Sequence, residues 1–525
     1  MLGERCLPMN AFCSVGAASS AAVPDAARPP PSLESSPRLG LQPGSVAWGI
    51  APRAALPRAA RDPGQRWPWC LLLGGLVWVG LAHTQANAAS YPPLQALVDA
   101  AESGGVITPE PGTYAGPVVI DKPLTIDGGG QVTIDGGGKG TVVLLDTDGA
   151  TLKGLRLTNS GNSHNDIDSA VQVRGNFNVI KDNQIDDCLF GIDLQQSEDN
   201  IVRRNRISSK PVELGIRGDA IRLWYSFRNK VTDNIIRDSR DTVIWYSRDN
   251  LIARNDARRG RYSLHFMYSQ TNRVEDNHYE GNTVGIFLMY SDGVIVRNNL
   301  IANAAGVTGV GIGFKETSDV TIENNRVLYC AIGLYLDVSP YQPGTTNRIR
   351  DNLIAYNGVA VRFLNDWQGN AFIGNKFQGN ITQVVVEGGK TASRNHWEGN
   401  YWDDYEGFDR NSDGVGDTHY ALYDYADRLW MDVPAAQFFK GSPMLEVLDF
   451  LERLAPLSAP DLMVRDERPL WGAEVKIAIA DPNAVLAGGV GDDEAEEDED
   501  PAAAPTQDAG GFDALGALRG AMGRD

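Results

Sequence analysis

The chain has 525 residues and a formal net charge of −20. An acidic balance of that size excludes a general nucleic-acid binder, which needs basic patches to displace phosphate counterions, and suits a protein that handles cations or a basic partner. Composition changes before about residue 90 and after about residue 470, leaving roughly 380 residues for one elongated core.

The first 88 residues read as a leader. Residues 67–82 are apolar, Arg61 and Arg66 precede them, and Ala86-Asn87-Ala88 follows as a small-x-small cleavage signature. That is the pattern of a secretory signal peptide cut after Ala88. A membrane anchor is the alternative, but the run is shorter than the ~20 residues a spanning helix needs. The Ala-, Pro- and Arg-rich stretch ahead of it points to a start downstream of Met1. Cys6, Cys13 and Cys70 fall before the cut, so the mature chain keeps Cys188 and Cys330.

From residue 89 to about 400 the sequence is periodic. Residues 94–101 are expected to form a short helix at the N-terminal end, followed by irregular strands such as Val118-Val119-Ile120 and Val142-Val143-Leu144. An apolar residue, two variable residues, Asn, x and an apolar residue then recur, with Asn at 183, 205, 234, 255, 277, 299, 325, 352, 375 and 395. Spacings of 20 to 29 residues between these positions mean stacked coils. The strands are short, rich in Ile and Val, and bounded by polar turns, which predicts a right-handed parallel β-helix of about 10–12 coils rather than a leucine-rich repeat. Asn at one phase can form a ladder from coil to coil. Cys188 and Cys330 share a phase but sit about six coils, or roughly 29 Å, apart. A bridge needs Cα atoms within about 7 Å, so two buried free thiols are expected.

Aligning coils on Tyr225, Tyr246, Tyr268 and Tyr290 turns Leu223, Ile244, Phe266 and Leu288 inward, because strand residues alternate faces. Two outward columns result. One runs Arg222, Val243, His265, Phe287; the other runs Trp224, Trp245, Met267, Met289, Lys315. A contiguous apolar column is usually a contact surface, and thioether and imidazole donors suit Cu(I). The column has three open readings: a second small core under a loop, a docking surface for a partner, or a direct copper site at His265, Met267 and Met289 beside Trp224 and Trp245.

After the coils, residues 401–436 are expected to close the end. Asp409, Asn411, Asp413 and Asp417, with Gly414 at the turn and the Val415 carbonyl, match the start of a Ca²⁺ loop. Position 12 is Tyr420, so the usual bidentate carboxylate is missing, and Asp403, Asp404 or Glu406 would have to replace it. Trp397, Trp402 and Trp430 are expected to pack on the last coil. In the segment 437–470, residues 442–454 form an expected amphipathic helix with Ser442 as N-cap, Pro443 in the first turn, and Leu445, Leu448, Leu451 and Leu454 on one face. Residues 471–525 carry the run DDEAEEDED and read as a disordered acidic tail.

The segments LHFMYS (264–269), GIFLMYS (285–291), GIGFKETSD (311–319), GLYLDVSP (333–340), GNYWDDYEGFDRNSDGVGD (399–417) and SPMLEVLDFLERLAPLSAPDLMVRD (442–466) resemble the NosD family. The resemblance covers roughly residues 90–470. It implies a periplasmic, non-enzymatic accessory of nitrous-oxide reductase maturation. The expected partners are an ABC transporter (NosF ATPase, NosY permease), the NosL copper chaperone and the reductase, with copper as transient cargo. His265, Met267 and Met289 are the motif positions that carry over. The competing class is a carbohydrate-binding protein or polysaccharide lyase or epimerase. It would have to recruit Asp219 with Arg222, or Lys315 with Glu316, as acid–base machinery.

Overall fold

Each coil is three short strands and three corners. Ile221–Trp224, Lys230–Thr232 and Ile235–Arg237 make one coil. Each strand pairs in parallel with its equivalent in the next coil, for example Leu223 with Ile244, Val231 with Ile252 and Ile236 with Ala257. One face of the rod is a twelve-stranded sheet, and the other two merge into a 24-stranded sheet bent at the Asn corner. The structure, a computed structural model, describes residues 91–388, 391–424, 442–455 and 461–473. The expected leader with its signal segment, Trp430 and the run DDEAEEDED lie outside the described residues.

The rod is an all-β right-handed parallel solenoid of about 13 turns, against the expected 10–12. The irregular early strands account for the difference, because Val118–Ile120 and Val143–Leu145 join the twelve-stranded sheet as full coils. Inward side chains such as Ile192, Leu223, Ile244, Phe266, Leu288 and Phe314 form one continuous core. Helix is scarce. A six-residue stretch, Gln95–Ala100, contributes Val98 to that core, beside Leu94. Pro443–Leu454 is helical, and Ser442 stands at its N-cap without making a side-chain cap hydrogen bond.

The corners explain the Asn repeat. The residue before each ladder Asn is left-handed: Asp182, Arg204, Asp233, Arg254, Asp276 and Asn298 have φ between 52° and 59°. Such a conformation costs an L-residue about 1–2 kcal/mol. The Asn side chain offsets it. Asn255 Nδ2 donates to Asn277 Oδ1 at 3.0 Å and to the Val231 carbonyl at 2.9 Å, while its Oδ1 accepts from the Asn234 amide. Buried backbone groups at the turn are thereby satisfied.

One ladder position is corrected. Asn375 bonds to Asn400, not Asn395, and Asn395 continues a second ladder from Asn347 and Asn370. The same corner carries Asn200, Asn229, Asn250 and Asn272 in the earlier coils, with Val294 and Val320 between the two stretches. The main ladder ends on a carboxylate. Asp466, fully buried, accepts from the amides of Gly399 and Asn400, from Asn400 Nδ2 and from Trp402 Nε1. Asp466 sits on the strand Asp461–Asp466, antiparallel to Tyr420–Asp424. Trp397 and Trp402 fill the last coils, stacked on Phe372 at 4.0 Å and on Phe377 at 4.4 Å.

Candidate metal and partner site

The outer face of the twelve-stranded sheet carries the two columns. Register pairs Trp224 with Trp245, Trp245 with Met267, Met267 with Met289 and Met289 with Lys315. In the neighbouring column Arg222 pairs with Val243, Val243 with His265 and His265 with Phe287. Each coil then turns through a left-handed tyrosine. Tyr225, Tyr246, Tyr268 and Tyr290 have φ of 49° to 52° and stack ring on ring at 4.9, 5.2 and 4.8 Å. The left-handed turn immediately after the strand holds the Trp and Met side chains at the sheet edge.

These columns point outward, yet their members are not all exposed. Val243 is 1 % exposed and His265 8 %, because large neighbours on the same face cover them. Tyr262 stacks on the imidazole at 4.8 Å, and Trp245 meets it edge-on at 6.1 Å and 85°. His265 Nε2 lies 3.1 Å from Met289 Sδ. Burial lowers the imidazole's pKa to about 4, so the ring is neutral at neutral pH and keeps a lone pair for a metal. A neutral imidazole touching a thioether, with a second thioether on the adjacent rung, is a soft donor set that fits Cu(I).

Beyond His265 its own column is apolar as far as Tyr335. Val284, Val310 and Ile332 form a separate cluster with Tyr262, Phe287 and Tyr335 packed against it. Gly313, next after Phe287 in the column, leaves room for that ring, since a Cβ there would sit 2.4 Å from two Phe287 ring atoms.

On the other side of Val243 the face is charged. Arg222 Nη1 donates to the buried Asp193 at 2.9 Å, and its guanidinium lies 6.0 and 5.8 Å from the Trp224 and Trp245 rings. Arg240 binds Asp219 at 2.8 Å, and Arg261 binds Asp241. Burial pushes Asp219 up to about 6, against the pull of Arg240, and Asp193 is also raised by burial. The acid–base pairs that a lyase would recruit are joined differently: Asp219 is paired with Arg240, and Lys315 Nζ lies 2.8 Å from Asp337, while Glu316 sits in the left-handed turn that follows.

Cys188 and Cys330 are free and buried, and burial pushes both thiols up to about 12, so neither supplies a thiolate at neutral pH. In the acidic loop, Asp409 oxygens accept from the amides of Asp413 and Gly414, Asn411 accepts from Asp413, Asp413 accepts from Val415, and Asp417 accepts from Arg410. The side chains serve the loop's own backbone. No group of three or more His, Cys, Asp or Glu is gathered as a metal cage among the described residues. No helix among them is long and apolar enough to cross a membrane.

Coils of three parallel strands around an unbroken apolar core define a right-handed β-helix protein, and residues 130–237 match the family model described as a right handed beta helix region. Residues 209–407, which contain both columns from Arg222 onward, match the model described as periplasmic copper-binding protein (NosD). The "Probable ABC transporter binding protein NosD" of Pseudomonas aeruginosa is 31 % identical over 449 residues, covering 75 % of this chain and 94 % of that one. The protein of the same name from Stutzerimonas stutzeri is 35 % identical over 129 residues, 24 % of this chain and 28 % of that one. The chain belongs to the NosD family. Its relatives are named as binding proteins and not as enzymes. Among solved structures, the A-module of mannuronan C-5 epimerase AlgE6 from Azotobacter vinelandii aligns with a TM-score of 0.46 and 16 % identity, over 57 % of this chain and 92 % of that one.

Proposed function

We propose that this protein is a periplasmic, non-enzymatic accessory for copper-centre assembly of nitrous-oxide reductase, working with an ABC transporter (NosF ATPase, NosY permease) and the NosL chaperone. The observation that carries the proposal is the contact of His265 Nε2 with Met289 Sδ at 3.1 Å, with Met267 on the adjacent rung. That donor set takes Cu(I) as transient cargo. The apolar floor of Tyr262, Phe287 and Tyr335 offers a partner a surface beside the metal. The helix Pro443–Leu454 exposes Met444, Val447, Phe450, Leu451 and Leu454, which supports a role for this segment in gripping the transporter.

The direct test is anaerobic Cu(I) titration. Met267→Ala/Met289→Ala should bind Cu(I) at least about tenfold more weakly than wild type; unchanged affinity removes the copper site. A deletion strain should yield reductase depleted of copper, and full copper loading in that strain would remove the assembly role.

A further inference from the structure

We infer that Trp245 screens the His265–Met289 pair from water and dioxygen, so that the site holds a soft monovalent cation at low coordination number and rejects divalent ions. This rests on the copper reading above. The argument begins with placement. Trp245 is the rung before Met267 and lies edge-on to the His265 ring at 6.1 Å. Tyr262 covers the imidazole by stacking, and Val243 beside it is buried. Tyr262 lies on the same strand as His265, Phe287 and Met289 flank it from the next coil and Val243 from the preceding one, so Trp245 is the large side chain that reaches the imidazole from the preceding coil.

The indole has an unusual feature. Its Nε1 is buried and has no hydrogen-bond acceptor among the described residues. A buried Trp N–H usually finds a partner, and leaving one unmade costs about 1–3 kcal/mol. The ring is therefore held by packing, between the Arg222 guanidinium at 5.8 Å and His265, and not by its polar atom. What the indole supplies there is bulk. A cation–π role for the metal itself is the weaker reading, because Arg222 already occupies the ring's attraction for cations.

Bulk at this position has a chemical consequence. Cu(I) is satisfied by a few soft donors, whereas Zn²⁺ completes four ligands and Cu²⁺ prefers a tetragonal set of nitrogen and oxygen. Those ions would need further water or oxygen ligands beside the imidazole, which the indole edge on that flank would keep out. Loss of the screen should therefore leave Cu(I) affinity nearly unchanged, while opening the site to oxidation and to divalent ions.

The experiment uses the mature full chain loaded with one equivalent of Cu(I) and then exposed to air. Oxidation transfers one electron from Cu(I) to dioxygen, giving Cu²⁺ and superoxide, and the Cu²⁺ signal is followed by electron paramagnetic resonance. Trp245→Ala should oxidise at least about tenfold faster than wild type and bind Zn²⁺ at least about tenfold more tightly. Trp245→Phe, which keeps most of the bulk and removes the orphan N–H, should stay within about threefold of wild type. Tyr329→Ala, at another corner where its ring stacks on Tyr356, should oxidise at the wild-type rate and controls for general loosening. Equal oxidation rates for Trp245→Ala and wild type overturn the inference, as does equal acceleration in Tyr329→Ala or a Trp245→Phe that behaves like alanine. Failure of the copper reading looks different: wild type takes up no Cu(I), or His265→Ala binds it as wild type does, and either result removes both claims.

Discussion

Along the corner from Asn183 to Asn400 every side-chain amide donates to the next coil, whereas along the outer face from Trp224 to Lys315 sulfur, imidazole and indole atoms meet rings and one another. Both columns come from the same repeat and the same inter-coil spacing. The corner uses the repeat to satisfy polar groups, and Asn255 and Asn277 have the same kinds of partner one coil apart. The face keeps no single residue type: the column runs Trp224, Trp245, Met267, Met289 and Lys315, changing from indole to thioether to ammonium over five rungs. Where the chain needs only stability it repeats itself. Where the side chains differ from rung to rung, packing alone does not explain them.

That contrast can be tested from both sides, beginning with the corner. Asn277→Ala should destabilise the fold by about 2–4 kcal/mol, because the Asn255 amide and Nδ2 lose their acceptor inside the rod, and urea unfolding would measure it. A loss below about 0.5 kcal/mol would mean the ladder is decoration. Next, Asp466→Asn should cost about 2 kcal/mol, since an amide NH₂ would face donors that now meet carboxylate oxygens; the same unfolding assay reads this, with Asp466→Glu as the volume control. On the face, Gly313→Ala should cost about 1–3 kcal/mol by displacing the Phe287 ring, and a thermal melt unchanged from wild type would show that the ring has room to move. The smallest effect is in pH. An ordinary imidazole loses metal to protons as pH falls through about 6.5. The His265 pKa is lowered to about 4 by burial, so Cu(I) affinity should stay nearly level from neutral pH down to about pH 5 and fall below that. A tenfold drop already complete near pH 6 would place the imidazole in water.

Much of this architecture was legible in the sequence because two periodicities constrain it. Alternation within strands, anchored on the recurring Tyr225, Tyr246, Tyr268 and Tyr290, fixes which residues face out, and the register follows. Legibility failed where two corners look alike. Asn395 and Asn400 both stand two residues before a tryptophan, Trp397 and Trp402, and local pattern cannot tell which corner each occupies. It failed again for Asp466, which joins the ladder from 66 residues away through a strand with no repeat signal. The burial of His265 was hidden for a different reason. Alternation gives direction but not cover, and the cover comes from Tyr262 and Trp245 lying over the same face. The Asp219–Arg240 pairing lies between adjacent coils, at a distance no single strand encodes.

The carboxylate at the end of the ladder gives the rod a direction. Each amide hands one of its two hydrogens toward the C-terminus, and the last hand-off is received by a group that owes none in return. This ladder could gain or lose a rung in its middle without leaving an amide wanting, since its interior rungs make the same bonds. It cannot be shortened from the rear. During folding the final turns must wait for a strand some sixty residues further along the chain before the sequence of donations has anywhere to stop.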